Sequence, residues 1–258
     1  MTNPFTPTPA DGFAWVTGAS SGIGEYVALA LAAEGWTVLA SARRVDALQD
    51  VAARSRGPGR IIPLPLDVTD LQSVRAAVAG ALATHGPMAL AILNAGTYKP
   101  DGARGLDAGD FARTVDINLM GTVNGLDALL PGMIGRGRGH IVIVSSVAGY
   151  RGLPRSLSYG ATKAALINMA ESLKMDVERY GLKTQLVCPG FIKTPLTDKN
   201  DFPMPFLMPV EKAAARLVAA LKGDGFQITF PRRFTWGLLL LRRLPDALYF
   251  LLARRTLR

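Results

Sequence analysis

Tyr159 and Lys163 stand four residues apart in Tyr159-Gly160-Ala161-Thr162-Lys163, and Ser146 lies thirteen residues before the tyrosine. On a helix, residues four apart share one face. An ammonium beside a phenol favours the phenolate and lowers its pKa. A phenol tuned in that way passes a proton to or from a substrate oxygen. Near the N-terminus, Gly18-Ala19-Ser20-Ser21-Gly22-Ile23-Gly24 follows a short apolar run and opens an apolar-periodic stretch. Such a turn lets backbone approach a pyrophosphate, and the helix start behind it favours anions. A proton donor beside a dinucleotide turn is the apparatus of hydride transfer. Alone, the glycines would equally suit any tight strand-to-helix turn.

The second apolar run narrows the cofactor. An acidic residue near the end of that strand usually holds the adenosine ribose 2′-hydroxyl. Here Ala42 stands there, followed by Arg43 and Arg44. Arginine suits a 2′-phosphate through charge-assisted hydrogen bonds, so NADP(H) is expected in preference to NAD(H).

These residues need a frame. Apolar runs at 13–17, 36–42, 61–66, 89–93, 141–145, 184–188 and 226–230 predict seven strands. Helical patterns fall between them: 24–34, one capped by Thr69 or Asp70, 111–135, one carrying Tyr159 and Lys163 to about Tyr180, and 210–222. Short continuous apolar strands alternating with helices indicate an α/β fold, with a mainly parallel sheet covered on both faces.

The 258 residues, 49% of them hydrophobic, suffice for one large domain. The expected division is an N-terminal arm at 1–10, a catalytic domain at 11–230 and a tail at 231–258. Cys188 is the only cysteine and reads as a small buried apolar residue. The first ten residues lack the apolar core of a signal peptide, so a cytoplasmic setting is expected. Of the net charge of +9, the tail carries +6 in seven arginines against Asp246. The body is close to neutral, which argues against nucleic acid. His85 and His140 have no metal-ligand spacing and are expected in loops or at the surface.

Taken together, these motifs resemble the classical short-chain dehydrogenases/reductases. The resemblance spans about 12–230 and rests on Thr17 to Gly24, Asp67, Asn94-Ala95-Gly96, Asn118, Ser146, Tyr159, Lys163 and Pro189-Gly190, in family order. It implies a Rossmann-like doubly wound domain. Tyr159 would be the general acid in carbonyl reduction and the base in alcohol oxidation. Lys163 would lower the Tyr159 pKa and bind the nicotinamide ribose. Ser146 would polarise the substrate oxygen, and Asn118 would position a relay water. The dinucleotide would lie along Gly18, Ser20, Ser21, Gly22, Ile23, Gly24, Arg43, Arg44, Asp67, Val68, Asn94, Ala95, Gly96, Tyr159 and Lys163. Pro189, Gly190, Ile192 and Thr194 would line its nicotinamide side. Leu93 replaces a common asparagine, and Ser21 a basic residue of some NADP-preferring members.

Two other functions compete. Gly18-Ala19-Ser20-Ser21-Gly22 formally matches the G-x-S-x-G elbow of serine hydrolases, with Ser20 as nucleophile. A non-catalytic NADP(H) sensor or scaffold would usually have lost the tyrosine or lysine, and both are present. The segment 191–209, with Phe191, Phe202, Met204, Phe206, Leu207 and Met208, suits a lid over a hydrophobic carbonyl or alcohol, or inward packing. The tail breaks its apolar stretches at Arg242-Arg243-Leu244-Pro245 and does not read as a membrane span. It is expected to pack on the protein or join subunits of a homodimer or homotetramer, with peripheral contact to an anionic membrane as the other reading.

Overall fold

The computed structural model describes residues 5–200 and 202–254. Part of the arm at 1–10, and Arg255 and Arg258 of the tail, lie outside the described residues. Seven strands form one parallel sheet: β1 (Phe13–Thr17), β2 (Thr37–Ala42), β3 (Arg60–Pro65), β4 (Met88–Leu93), β5 (Gly139–Val144), β6 (Leu182–Pro189) and, after two short strands, β9 (Gln227–Phe230). Their order is β3-β2-β1-β4-β5-β6-β9. The short pair, β7 (Ile192–Lys193) and β8 (Met208–Pro209), forms a separate parallel ribbon. It joins the two ends of the expected 191–209 loop.

Alternation along each strand builds two cores. Ala14 and Val16 of β1 face α1 (Gly22–Ala33), α2 (Val45–Ala53) and α7 (Val210–Leu221), packing with Val27, Leu31, Leu48 and Leu217. Phe13 and Trp15 face the opposite layer of α3 (Leu71–His85), α5 (Gly121–Arg136) and α6 (Leu157–Glu178), meeting Val74, Leu129 and Leu166. Both sheet faces are thus covered, which is why the strands read as continuous apolar runs. Asp70 caps α3 by accepting from the Gln72 and Ser73 backbone N–H groups. The chain reverses direction across the sheet between β1 and β4, and in such sheets ligands bind beyond the carboxyl ends of the strands at that point.

Three elements differ from expectation. The single helix expected at 111–135 is α4 (Ala108–Val115), a π turn at Asp116–Met120 and α5. A π turn holds one extra residue per hydrogen-bonded loop, and here it holds Asn118. The tail forms two helices, α8 (Arg232–Arg242) and α9 (Asp246–Ala253). His140 is neither in a loop nor at the surface: it is fully buried on β5, between Leu90 and Lys183 of the neighbouring strands. Neither of its ring nitrogens meets a partner in good hydrogen-bond geometry. Burial, reinforced by the Lys183 charge, pushes its pKa down to about 3.

Candidate active site

A cleft of about 380 Å³ opens at the carboxyl ends of the strands. Its floor begins at the end of β1. Gly18 and Gly22 adopt φ values of 67° and 60°, a left-handed region that favours glycine. Gly24 sits behind them: a Cβ there would lie 2.4 Å from the Gly18 carbonyl oxygen and 2.5 Å from Asn94 Nδ2. Asn94 donates from that amide to the carbonyls of Thr17 and Gly18, at 2.9 and 3.3 Å. The Thr17 hydroxyl in turn accepts the backbone N–H groups of Asn94 and Ala95, at 2.9 and 3.0 Å. The β1 and β4 turns therefore form one hydrogen-bonded unit. Thr17 is its hinge, and the signal for it was a hydroxyl placed directly before the glycines.

The cleft is lined by Ser20, Ser21, Ile23, Arg43, Arg44, Asp67, Val68, Ala95 and Gly96 alongside Gly18, Gly22 and Asn94. Pro189, Gly190, Ile192 and Thr194 close its far wall. Arg43 and Arg44 are exposed at the end of β2, and Arg44 donates at 3.4 Å to the Ser20 carbonyl and hydroxyl. Three side chains reach the cleft floor, Ser146 from just beyond β5 and Tyr159 and Lys163 from α6. Ser146 accepts the Ala148 N–H at 3.1 Å and hydrogen-bonds Tyr159. Lys163 donates to the Val144 carbonyl at 2.9 Å, with Nζ 5.6 Å from the centre of the Tyr159 ring. The neighbouring Ser145 turns away, donating to the Lys163 carbonyl at 2.7 Å and tying β5 to α6.

The electrostatics depart from the expected tuning. Burial pushes the Tyr159 pKa up to about 12, with the Ser146 hydrogen bond pulling against it. Burial pushes Lys163 down to about 8. Lys163 is buried and Tyr159 partly so, and the ammonium donates to the Val144 carbonyl. For the phenol, desolvation outweighs the Ser146 hydrogen bond.

Gly24 and Asn118 stand behind the cleft wall. Asn118 is fully buried; its amide accepts from the Thr97 N–H at 2.7 Å and donates to the Thr97 carbonyl and Thr162 hydroxyl, both at 3.1 Å. It clamps the β4 turn to α6, and its Oδ1 keeps a second lone pair free to accept. Tyr98, unmarked in the sequence analysis, meets Tyr159 edge-on at 5.1 Å between ring centres. Its carbonyl accepts from Lys199 at 2.9 Å, joining the 191–209 segment to the β4 turn. Its position two residues after Asn94-Ala95-Gly96 was the available signal. Leu66, Ile117 and the stretch Pro195 to Thr197 also line the cleft and were not foreseen.

Neither histidine lines the cleft: His140 is buried in β5, and His85 ends α3 against the Phe13 ring. Ser20 therefore has no imidazole base. Cys188 is a buried thiol that burial pushes up to about 11. Among the described residues no His, Cys, Asp and Glu cluster suits a metal.

The family described as short chain dehydrogenase matches residues 13–203. An uncharacterised oxidoreductase of Myxococcus xanthus (strain DK1622) is 36% identical over 243 residues, 94% of this chain and 96% of its own. The 3-oxoacyl-(acyl-carrier-protein) reductase FabG of Thermotoga maritima is 33% identical over 185 residues, 71% and 75% of the two chains. Among solved structures, a short-chain dehydrogenase from Streptomyces avermitilis shares 30% identity and a TM-score of 0.79, covering 88% of this chain and 90% of its own. Levodione reductase has the same fold at 24% identity, with a TM-score of 0.81 over 88% and 98%. By the family match and these relatives, the chain belongs to the short-chain dehydrogenase/reductase family, oxidoreductases that act on CH–OH and C=O groups with NAD(P).

Proposed function

We propose that this enzyme interconverts a hydrophobic carbonyl compound and its secondary alcohol, using NADP(H) in preference to NAD(H). The observation that supports this reading best is convergence: Ser146, Tyr159 and Lys163 line the same cleft as the glycine turn, Arg43 and Arg44. The turn fits a dinucleotide, since Gly18 and Gly24 leave no room for a Cβ and so allow close backbone approach. When bound, the nicotinamide supplies the hydride.

The chain's own part is proton handling and placement. With its pKa raised, Tyr159 is protonated near neutral pH, the form that donates to a developing alkoxide in carbonyl reduction. Ser146 hydrogen-bonds the same substrate oxygen and holds it against the phenol. Lys163 sets a positive charge near the ring, which stabilises the phenolate left behind. Arg43 and Arg44 take the 2′-phosphate. We assign the apolar substrate wall to Phe191, edge-on to Phe202 at 5.9 Å and tilted against Phe234 at 5.3 Å, with Phe206 6.2 Å from Phe234, a cluster adjoining the cleft-lining Gly190 and Ile192.

The test is turnover of an aryl ketone, an alkyl ketone and a ketoacyl thioester panel with NADPH. Tyr159→Phe should cut kcat by about a thousandfold or more while NADPH binding stays intact. Retained turnover would remove Tyr159 from the proton donor's role.

A further inference from the structure

The tail helices bury one face and leave the other uncovered. On α8, Thr235 is fully buried and Phe234, Leu238 and Leu239 pack on the core layer. The opposite stripe reads Arg233, Trp236, Leu240, Arg243, at the three- and four-residue spacing of one helix face. Trp236 and Leu240 are each 68% exposed. On α9, Tyr249 is buried, while Leu248, Phe250 and Leu251 are exposed and Arg254 follows. A surface helix ordinarily turns polar residues outward. Here both turn aromatic and leucine side chains outward, edged by arginine.

Charge decides among occupants. Among the described residues no carboxylate pairs with Arg232, Arg233, Arg242, Arg243 or Arg254. The tail's one acid, Asp246, is bound to Arg151. A second copy docked by two-fold symmetry would set this patch against itself, arginine facing arginine with no acid to separate them. A layer of anionic headgroups neutralises the arginines while Trp236, Leu240, Phe250 and Leu251 enter the acyl boundary. Neither helix is long and apolar enough to cross a membrane.

The patch is also fixed to the catalytic domain. Arg151, between Ser146 and Tyr159, donates to the carbonyls of Leu244 and Arg242 at 2.7 and 3.4 Å, and its guanidinium lies 3.9 Å over the Tyr249 ring. The Tyr249 hydroxyl donates to the Gly152 carbonyl at 2.6 Å. Phe234 packs directly on Gly190 of the cleft wall.

We propose that the outer faces of α8 and α9 form a docking surface for an anionic phospholipid membrane, holding the enzyme there peripherally. This is separate from the proposed reaction, and its test needs neither cofactor nor substrate. Trp15 and Trp36 are 0% and 4% exposed, so Trp236 is the tryptophan whose emission answers to a surface event. The full-length chain is mixed with phosphatidylcholine vesicles, with and without roughly one third phosphatidylglycerol. The expected result is co-sedimentation and a blue shift of the Trp236 emission with the anionic vesicles, both weakening as salt is raised. Changing Arg232, Arg233, Arg242 and Arg243 to Gln should weaken binding about a hundredfold. Trp236→Ala with Leu240→Ala should weaken it about tenfold, as read by sedimentation. Circular dichroism and the melting temperature verify that each variant is folded. Absence of binding, or equal binding to neutral vesicles, would overturn the proposal. So would a stable dimer in which Trp236 is already shielded from quencher, which would assign the patch to a second copy.

Discussion

The turn between β1 and α1 and the segment between β6 and β9 face the same cleft but are built differently. In the first, position is set by backbone: glycines with no room for a side chain, and Thr17 and Asn94 locking two turns together. In the second, position is set by side chains: Phe191, Phe202 and Phe206 make edge-on or tilted ring contacts with one another and with Phe234 of α8, and Phe206 remains 58% exposed. A backbone cradle binds one constant ligand fragment and tolerates little change. An aromatic wall accommodates varied shapes and tolerates more. Under the proposed function, the first region serves the cofactor and the second distinguishes one substrate from another.

That contrast is most easily broken at Gly24. Gly24→Ala would drive a Cβ into the Gly18 carbonyl and Asn94. Stability should fall by about 1–3 kcal/mol, and NADPH affinity by more than about tenfold, read by thermal unfolding and fluorescence titration. Gly80→Ala is the control. Nothing lies within 4 Å of its would-be Cβ on α3, so stability should rise by up to about 1 kcal/mol. If Gly24→Ala behaves like Gly80→Ala, the cradle is not backbone-defined.

Acid should expose the buried strand layer that supports the cradle. His140 is neutral in the folded protein with its pKa pushed to about 3, whereas the unfolded chain binds the proton from about 6.5 downward. Between those values the unfolded state holds more protons, so stability falls as pH falls. The slope approaches about 1.4 kcal/mol per pH unit. Denaturant midpoints from pH 7 to 4 should show this slope in the wild type and a flatter one in His140→Leu. Equal slopes would place the acid sensitivity elsewhere.

Arg43→Ala sharpens the cofactor side: NADPH should weaken by about tenfold and NADH by less than about twofold. An equal effect on both would remove the basis for NADP preference. The smallest effect belongs to the aromatic wall. Phe206→Ala should change stability by less than about 0.5 kcal/mol yet raise KM for bulky ketones, leaving kcat for a small ketone unchanged. A large stability loss would show that Phe206 packs as core.

Sequence legibility followed the same division. The glycine turn, Tyr159 with Lys163, and the seven strands were readable because their signals are local: spacing, periodicity and short apolar runs. Of the expected cleft residues, those that line it are set by these motifs. The clamp that Asn118 makes was not legible, because its partners Thr97 and Thr162 come from distant segments and a π turn presents it. His140 was misplaced because a polar residue at the start of a strand looks exposed until both neighbouring strands are in place. Tyr98 and the stacking of Phe234 on Gly190 depend on long-range packing that no local spacing encodes.

The most direct test of the central claim is isotope transfer in a single turnover. NADPH carrying deuterium at the reactive nicotinamide carbon is mixed with excess enzyme and a hydrophobic ketone, and the alcohol is analysed by mass spectrometry. The wild type should yield alcohol with one deuterium on the carbinol carbon, while Tyr159→Phe should bind NADPH equally and yield none. Absence of NADPH binding, or equal labelled alcohol from Tyr159→Phe, would contradict the account.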